Sequence, residues 1–411
     1  MQLITFLGTG KYQPTGYKWG DEIVETPYVA EAICQVFQPD SVAVFVTQEA
    51  KAMHWEQLSS RLNSRFSAQE IPIPSGQSET EIWQIFDAVV DAVEPGSQVM
   101  FDITHAFRSI PMLVLLAAAF LQKARHVEIK GVYYGAFDFN NPQAPIVDLT
   151  PAIKLLDWLT ATDKFIDTGS SAELGKLLST IQQDFYTQKK QAELKPTKLK
   201  SFGITIENIS RTLDYVRPMG LLDEAAKLEN IPAEQLKTEV GAFAKPFELL
   251  LGQIQQDYGQ FALANSRKAD PKTVLKQQFL LLRWYVDKGF GDRATVLARE
   301  WIVSVLCLAQ NANYLNRDKR KLIENQLNLI VEWQKQKGDD ADIVDYTPPT
   351  ITTAVTDVEQ LAKFWSKLRD LRNDLAHAEM REESLSAVKL ETYVNNELIQ
   401  GITALFPEII G

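Results

Sequence analysis

The chain has 411 residues, 45% of them hydrophobic and 23% charged, a length and balance that fit two or three globular domains and exclude a disordered or fibrous protein. Its 42 Lys and Arg against 53 Asp and Glu leave a formal charge of −11, which excludes a broad basic face for gripping nucleic acid and restricts any such contact to a local, gated surface. The acidity lies mainly in the first 160 residues, which carry 10 basic and 18 acidic side chains, against 32 and 35 in the remainder.

The first 150 or so residues alternate short, β-rich apolar runs with helical stretches, the pattern of a parallel sheet with crossover helices. Strands are predicted at Leu3 to Leu7, Val42 to Thr47, Val99 to Ile103 and Lys130 to Tyr134, with a weaker one at Ile71 to Ile73. Helices are predicted at Tyr28 to Phe37, Glu79 to Val93 and Ser109 to Ala124. The second of these is well marked: Ser78 can cap it, Glu81 follows three residues on, apolar side chains recur at helical spacing, and Pro95-Gly96 ends it.

Beyond about residue 160 the strand signals fade and amphipathic helical runs take over, broken at Pro196, Pro218, Pro232, Pro271 and Gly289-Phe290-Gly291. The lysine-rich Thr187 to Lys200 stretch reads as a solvated linker or hairpin, and Lys337 to Thr350 as a long surface loop. The resulting division is an α/β domain over 1–160, a helical linker region over 161–240 and a helical C-terminal domain over 241–411. The start of the chain has no basic leader region, and the longest apolar run, Ile110 to Leu121, is about twelve residues where a membrane span needs roughly 20. Cys34 and Cys307 stand far apart in apolar runs, so neither a disulfide nor metal-ligand spacing is expected. A soluble, cytoplasmic protein without metal or resident cofactor is the expectation.

Four predicted strands end in residues suited to a polar ligand. The first runs into Gly8-Thr9-Gly10-Lys11-Tyr12, where glycines allow backbone N–H groups to approach an anion. The second ends in Thr47-Gln48-Glu49-Ala50. The third ends in Asp102-Ile103-Thr104-His105-Ala106-Phe107-Arg108, ahead of a helix, and the fourth in Tyr134-Gly135. In an open α/β sheet the carboxyl ends of the strands share one edge, and ligands bind in the crevice there. Each signal taken alone has a plain structural reading, Asp102 and Thr104 as helix caps and His105 as a buried imidazole; their convergence favours a nucleotide-sized anionic ligand.

A second cluster, Arg372-Asn373-Asp374-Leu375-Ala376-His377, lies on a helix predicted from Val358 to Arg381. On a helix Asn373 and His377 are about 40° apart, and Arg372 and His377 about 140°. One helix cannot easily aim Arg372 and His377 at one atom, so a chemical role requires two copies packed about a twofold axis. The chemistry that suits such a pair is RNA cleavage by the strand's own 2′-hydroxyl, with imidazole moving protons and guanidinium stabilising the phosphorane charge. The plain alternative is a solvated helix whose charges pair at i, i+4.

Phe6-Leu7-Gly8-Thr9-Gly10 with Tyr12, the Asp102-x-Thr104-His105 segment and Arg372-Asn373-x-x-x-His377 together resemble the CRISPR-associated DxTHG-motif family. Its members join a Rossmann-like sensor domain, CARF, to a HEPN ribonuclease domain. This chain departs from the family pattern in having Ala106 where glycine follows the histidine. The resemblance implies a homodimer, open to stacking into larger assemblies, whose paired CARF domains bind a cyclic oligoadenylate, the tetramer in preference to the hexamer, made by a type III CRISPR system. The ligand residues it implies are Gly8, Thr9, Gly10, Lys11, Tyr12, Thr47, Gln48, Asp102, Thr104, His105, Arg108, Tyr134 and Gly135. It further implies metal-independent cleavage of single-stranded RNA at a composite site of Arg372, Asn373 and His377, leaving a 2′,3′-cyclic phosphate. The segment from Phe290 to Glu300 resembles the first long HEPN helix, which makes Glu300 a further candidate. Three rivals remain: a CARF domain that hydrolyses its own cyclic ligand, a nucleotide-responsive DNA-binding regulator without enzymatic activity, and a HEPN nuclease outside CRISPR defence.

Overall fold

Alternation along the first strand decides how the N-terminal unit is layered. A computed structural model describes residues 1–106, 110–137, 143–189, 192–339, 355, 357–380, 382 and 384–410. Its contacts divide the chain into two compact units, Met1–Leu159 and Thr160–Gly411. In the first, β1 (Gln2–Leu7), β2 (Thr15–Trp19), β3 (Glu22–Thr26), β4 (Ser41–Val46), β5 (Ser67–Pro72), β6 (Gln98–Asp102), β7 (Glu128–Gly135) and β8 (Gln143–Asp148) form a sheet of order β3-β2-β8-β7-β6-β1-β4-β5. The run β7-β6-β1-β4-β5 is parallel throughout. Because β1 pairs with β4 on one side and β6 on the other, the strand order reverses between β1 and β6, the place where such sheets open a ligand crevice.

Successive side chains on a strand point to opposite faces. Ile4 and Phe6 therefore join one core with α4 (Glu79–Asp91) and α5 (Ile110–Ala124), while Leu3 and Leu7 join another with α1 (Val29–Phe37) and α3 (Glu56–Leu62). A short α2 (Gln48–Ala50), capped by the Thr47 hydroxyl, and a π-helical turn at Lys51–Trp55 lead into α3. The expected cap of α4 is present: Ser78 Oγ accepts from the Glu81 N–H at 3.2 Å, and the Glu81 carboxylate reaches back to the Gln77 N–H at 2.8 Å. The five predicted strands match β1, β4, β5, β6 and β7, and the predicted helices match α1, α4 and α5, with Ser109 outside the described residues. The hairpin β2–β3 and strand β8 were not expected. They extend the sheet beyond β7 through one antiparallel pairing and one parallel one.

The second unit is helical: α6 (Thr150–Thr168) leads into it, followed by α7 (Ala172–Thr187), α8 (Leu199–Asp214), α9 (Pro218–Ala226), α10 (Ala233–Phe243), α11 (Glu248–Gly259), α12 (Pro271–Asp287), α13 (Gly291–Ala309), α14 (Arg317–Asp339), α15 (Val358–Ala376), α16 (Ala387–Tyr393), α17 (Ile399–Leu405) and α18 (Pro407–Ile410). Helices α7 and α8 touch through glycine: a Cβ on Gly175 would lie 2.4 Å from the Gly203 carbonyl oxygen. The expected break near 240 falls inside α10. The Tyr258 hydroxyl of α11 donates to the Gly169 carbonyl at 2.5 Å, and the Ser266 N–H donates to Asp223 at 2.8 Å, so residues 241–266 pack back on the helices before them. Tyr285 Oη then donates to the Leu213 carbonyl at 2.7 Å and ties α12 to α8. The segment ahead of α8 is not a free linker: buried Glu239 accepts from the Thr197 N–H at 2.9 Å and the Lys198 N–H at 2.7 Å. Residues 337–339, expected in a loop, close α14, and 340–350 lie outside the described residues. Among the described residues no helix is long and apolar enough to cross a membrane.

Candidate functional site

The carboxyl ends of β1 and β6 meet at the switch point, and their chemistry is organised by one buried carboxylate. Asp102 ends β6 fully buried on the α1 side of the sheet. One of its oxygens accepts from Thr5 Oγ1 of β1 at 2.6 Å; the other accepts from the Thr104 N–H at 3.0 Å and Thr104 Oγ1 at 2.6 Å. Thr104 Oγ1 in turn accepts from the Gly135 N–H at 2.8 Å. Asp102 thus ties together the ends of β1, β6 and β7. The Asp102 carboxylate, the Thr104 hydroxyl and the Gly135 N–H, expected at a ligand, are hydrogen-bonded within this network, an arrangement that positions the strand ends.

Beyond β1 the chain passes close against the loop after β6. A Cβ on Gly8 would lie 2.8 Å from the His105 carbonyl oxygen, so only glycine allows that approach. The Gly8 N–H does not stand free for an anion, contrary to expectation. It donates to Tyr12 Oη at 2.8 Å, and Tyr12 Oη donates to the Gly8 carbonyl at 3.0 Å. The Tyr12 ring lies between His54 and His105, with centroid separations of 4.4 and 4.3 Å, and burial pushes its phenol well above the usual range. Tyr17 nearby is pushed up to about 12, by burial and then by the Asp102 charge. His54 Nε2 lies 2.8 Å from the Gly10 carbonyl oxygen, which requires the Nε2–H tautomer there.

His105 Nε2 is buried without a hydrogen-bond partner among the described residues. Its pKa is lowered chiefly by burial, against the opposing pull of Asp102 and with a further push from His54. The imidazole is therefore neutral near pH 7, and His105 is one of the residues lining a cavity of about 250 Å³. That cavity has an apolar floor including Phe6, Phe45 and Ile73, and a polar rim of Gly8, Thr9, Thr47, Glu49, Ser75 and Gln77. Of the expected ligand residues, Gly8, Thr9, Thr47 and His105 line it, whereas Gly10, Lys11, Tyr12, Gln48 and Tyr134 do not. Arg108 lies outside the described residues. Glu49 belongs to the polar end of the second strand, whereas Ser75 and Gln77 were missed. Their signal was the Pro74-Ser75-Gly76 turn after a weak strand, which matters only once β5 is known to lie beside β4.

In the helical unit, α15 starts at Asp357, whose side chain accepts from the Gln360 N–H at 2.8 Å. It ends at Ala376 with His377 as its C-cap, ahead of the expected Arg381, which lies outside the described residues. Ala378 and Glu379 take positive φ values of 48° and 67° and turn the chain off the helix. Arg372 and Asn373 are half-buried and joined, the guanidinium donating to Asn373 Oδ1 at 3.3 Å; His377 is exposed one turn later, its N–H on the Asn373 carbonyl at 3.0 Å. Asp374, to which sequence reasoning gave no role, is 4% exposed, and its Oδ1 has no hydrogen-bond partner among the described residues. Glu300 is engaged elsewhere: its carboxylate accepts from Arg320 at 2.7 Å and Arg299 at 2.5 Å, a pairing that joins α13 to α14.

Residues 2–138 match the family described as CRISPR system endoribonuclease Csx1, CARF domain, and residues 154–266 match the second domain of CRISPR-associated protein MJ1674. The chain is 31% identical over 180 residues to CRISPR-associated protein MJ1674 of Methanocaldococcus jannaschii, an overlap covering 43% of this chain. That overlap spans 25% of the relative's length.

Proposed function

We propose that this CRISPR-associated protein, whose N-terminal unit is a CARF domain, is an endoribonuclease switched on by a cyclic oligoadenylate. The observation that carries the reading is the pairing, in one chain, of a CARF-type unit with a crevice at its switch point and a helical unit whose α15 ends in the joined Arg372 and Asn373 followed by His377. The activator's phosphates and adenines meet Gly8, Thr9, Thr47 and His105, with Arg108 as a further cation. Two protomers each contribute Arg372 and His377 to a shared HEPN cleft. His377 moves the proton of the 2′-hydroxyl, Arg372 stabilises the charge on the phosphorane, and Asn373 holds Arg372 in place. Attack by the 2′-oxygen expels the 5′-oxygen and leaves a 2′,3′-cyclic phosphate and a 5′-hydroxyl.

Exposed apolar side chains support the dimer. Met112, Leu116 and Phe120, at 73, 55 and 49% exposure, recur every fourth residue on α5, and Phe120 packs on Phe86, which packs on Trp83 of α4. Such a stripe is the kind of surface a second copy covers. The activator acts only through its preference for the competent form, and about 2.7 kcal/mol of preference suffices for a ~100-fold rise in activity.

Incubation with labelled single-stranded RNA in EDTA, with and without cyclic tetraadenylate or hexaadenylate, tests the reading. Cleavage that needs the activator and is lost in Arg372→Ala/His377→Ala is the expected result. Uncut RNA with consumed activator would move the chemistry to the CARF domain. Duplex DNA binding without turnover of either would replace the enzyme by a regulator.

A further inference from the structure

Two adjoining cavities of about 460 Å³ each lie along one face of α15 in the helical unit, away from the residues assigned above. Both are lined by Lys367, Tyr393 and Glu397. One extends to Lys363, Gln360 and Gln400, the other to Asp370 and Lys389. Together they make a groove from the first half of α15 toward its His377 end, with α16, the π-helical turn Val394–Leu398 and α17 along its other side.

The charges in the groove are partly spent. Lys367 pairs with Glu397 at 2.7 Å and lies 4.3 Å over the Tyr393 ring, and Asp370 has Arg369 beside it. Lys363 and Lys389, both exposed, form no ion pair among the described residues. With Lys367 and Glu397 paired, and Asp370 beside Arg369, these two lysines are the unpaired cations lining the groove among the described residues. A second observation points to a ligand: Tyr393 is 3% exposed, yet its hydroxyl is buried with no hydrogen-bond partner among the described residues. A buried hydroxyl left unpaired is unfavourable unless something supplies the missing partner. A π-helical turn begins at the next residue, a feature often found at functional sites.

We infer that this groove carries the phosphodiester backbone of single-stranded RNA toward His377, with Lys363 and Lys389 each on a phosphate and the Tyr393 hydroxyl donating to an oxygen of the RNA as the groove fills. The inference rests on the nuclease reading for the identity of the strand and assigns it a path. It also reconciles RNA handling with an acidic protein, since the cations are few and confined to the approach to one helix end.

The test uses the full-length His377→Ala protein and a labelled 20-nucleotide RNA, with binding followed by fluorescence anisotropy over a salt series. Lys363→Glu/Lys389→Glu is expected to weaken binding about tenfold or more and to flatten the plot of log affinity against log salt by about 1.4, at roughly 0.7 per lost phosphate contact on a single strand. Lys237→Glu, an exposed lysine on α10, should change neither. Tyr393→Phe should weaken RNA binding while leaving thermal stability equal or higher, because it removes an unpaired buried hydroxyl. Equal losses in the Lys237 control, unchanged binding in the double reversal, or displacement of the RNA by cyclic tetraadenylate from this groove would each overturn the assignment. Cleavage by the His377-containing protein separates the two readings. Normal cutting by the Lys363/Lys389 variant defeats the groove alone, and Lys-dependent binding without cutting by the wild type defeats the nuclease alone.

Discussion

The substitution Thr5→Val probes the arrangement that organises the crevice. Valine keeps the shape of threonine but removes the donor to Asp102, leaving a fully buried carboxylate oxygen unpaired where Thr5 Oγ1 stood at 2.6 Å. A hydrogen bond to a charged group is worth about 1.5–3 kcal/mol, and the remaining partner, desolvated, recovers none of it from water. The loss falls on the β1–β6 seam, so amides of Ile4 to Phe6 should exchange with solvent about 10- to 150-fold faster if they open with the whole unit. Thr5→Ser keeps the hydroxyl and should stay within about 1 kcal/mol of the parent, the worth of a lost methyl group. Hydrogen exchange on the full chain reads both variants, and activator titration shows whether the crevice loosens with the seam. A Thr5→Val protein with parental protection and Thr5→Ser no better would refute the view that Asp102 is the tie between the strand ends.

Tyr12→Phe frees the Gly8 N–H and carbonyl, so cyclic tetraadenylate should bind about fivefold tighter by calorimetry if the ligand must break that contact, at about 1 kcal/mol for a net hydrogen bond; weaker binding would make the phenol a direct ligand contact. Arg372→Ala and His377→Ala should each lower RNA cleavage at least about 100-fold, the scale of general acid–base catalysis, while activator affinity stays within about twofold. His105 has a lowered pKa in the fold, so the unfolded chain binds more protons below its ordinary range; the stabilisation is complete above about pH 6.5 and is lost as pH falls toward the folded value. Urea unfolding of the N-terminal unit between pH 7 and 5 should show this loss, and His105→Gln should remove that part of it.

The sequence by itself determined the parallel core and its edge of polar strand ends, because β1, β4 and β6 are buried on both faces and appear as unbroken apolar runs ending in Gly8, Thr47 and Asp102. Strands β2, β3 and β8, grouped at one end of the sheet, escaped notice since each is short and partly exposed and its pattern blends with loop sequence. Helix α15 was legible in its apolar spacing, but its end was not: Ala378 and Glu379 adopt a left-handed turn without glycine or proline to announce it. Only the tertiary structure decided which polar residues remain free to act. Asp102, Thr104 and Glu300 have the chemistry of site residues, yet hydrogen bonds and ion pairs from distant segments consume them. Glu49, Ser75 and Gln77 entered the crevice because β4 and β5 lie in order beside β1. A residue type states what an atom can donate or accept; which partner claims it depends on contacts between segments far apart in the chain.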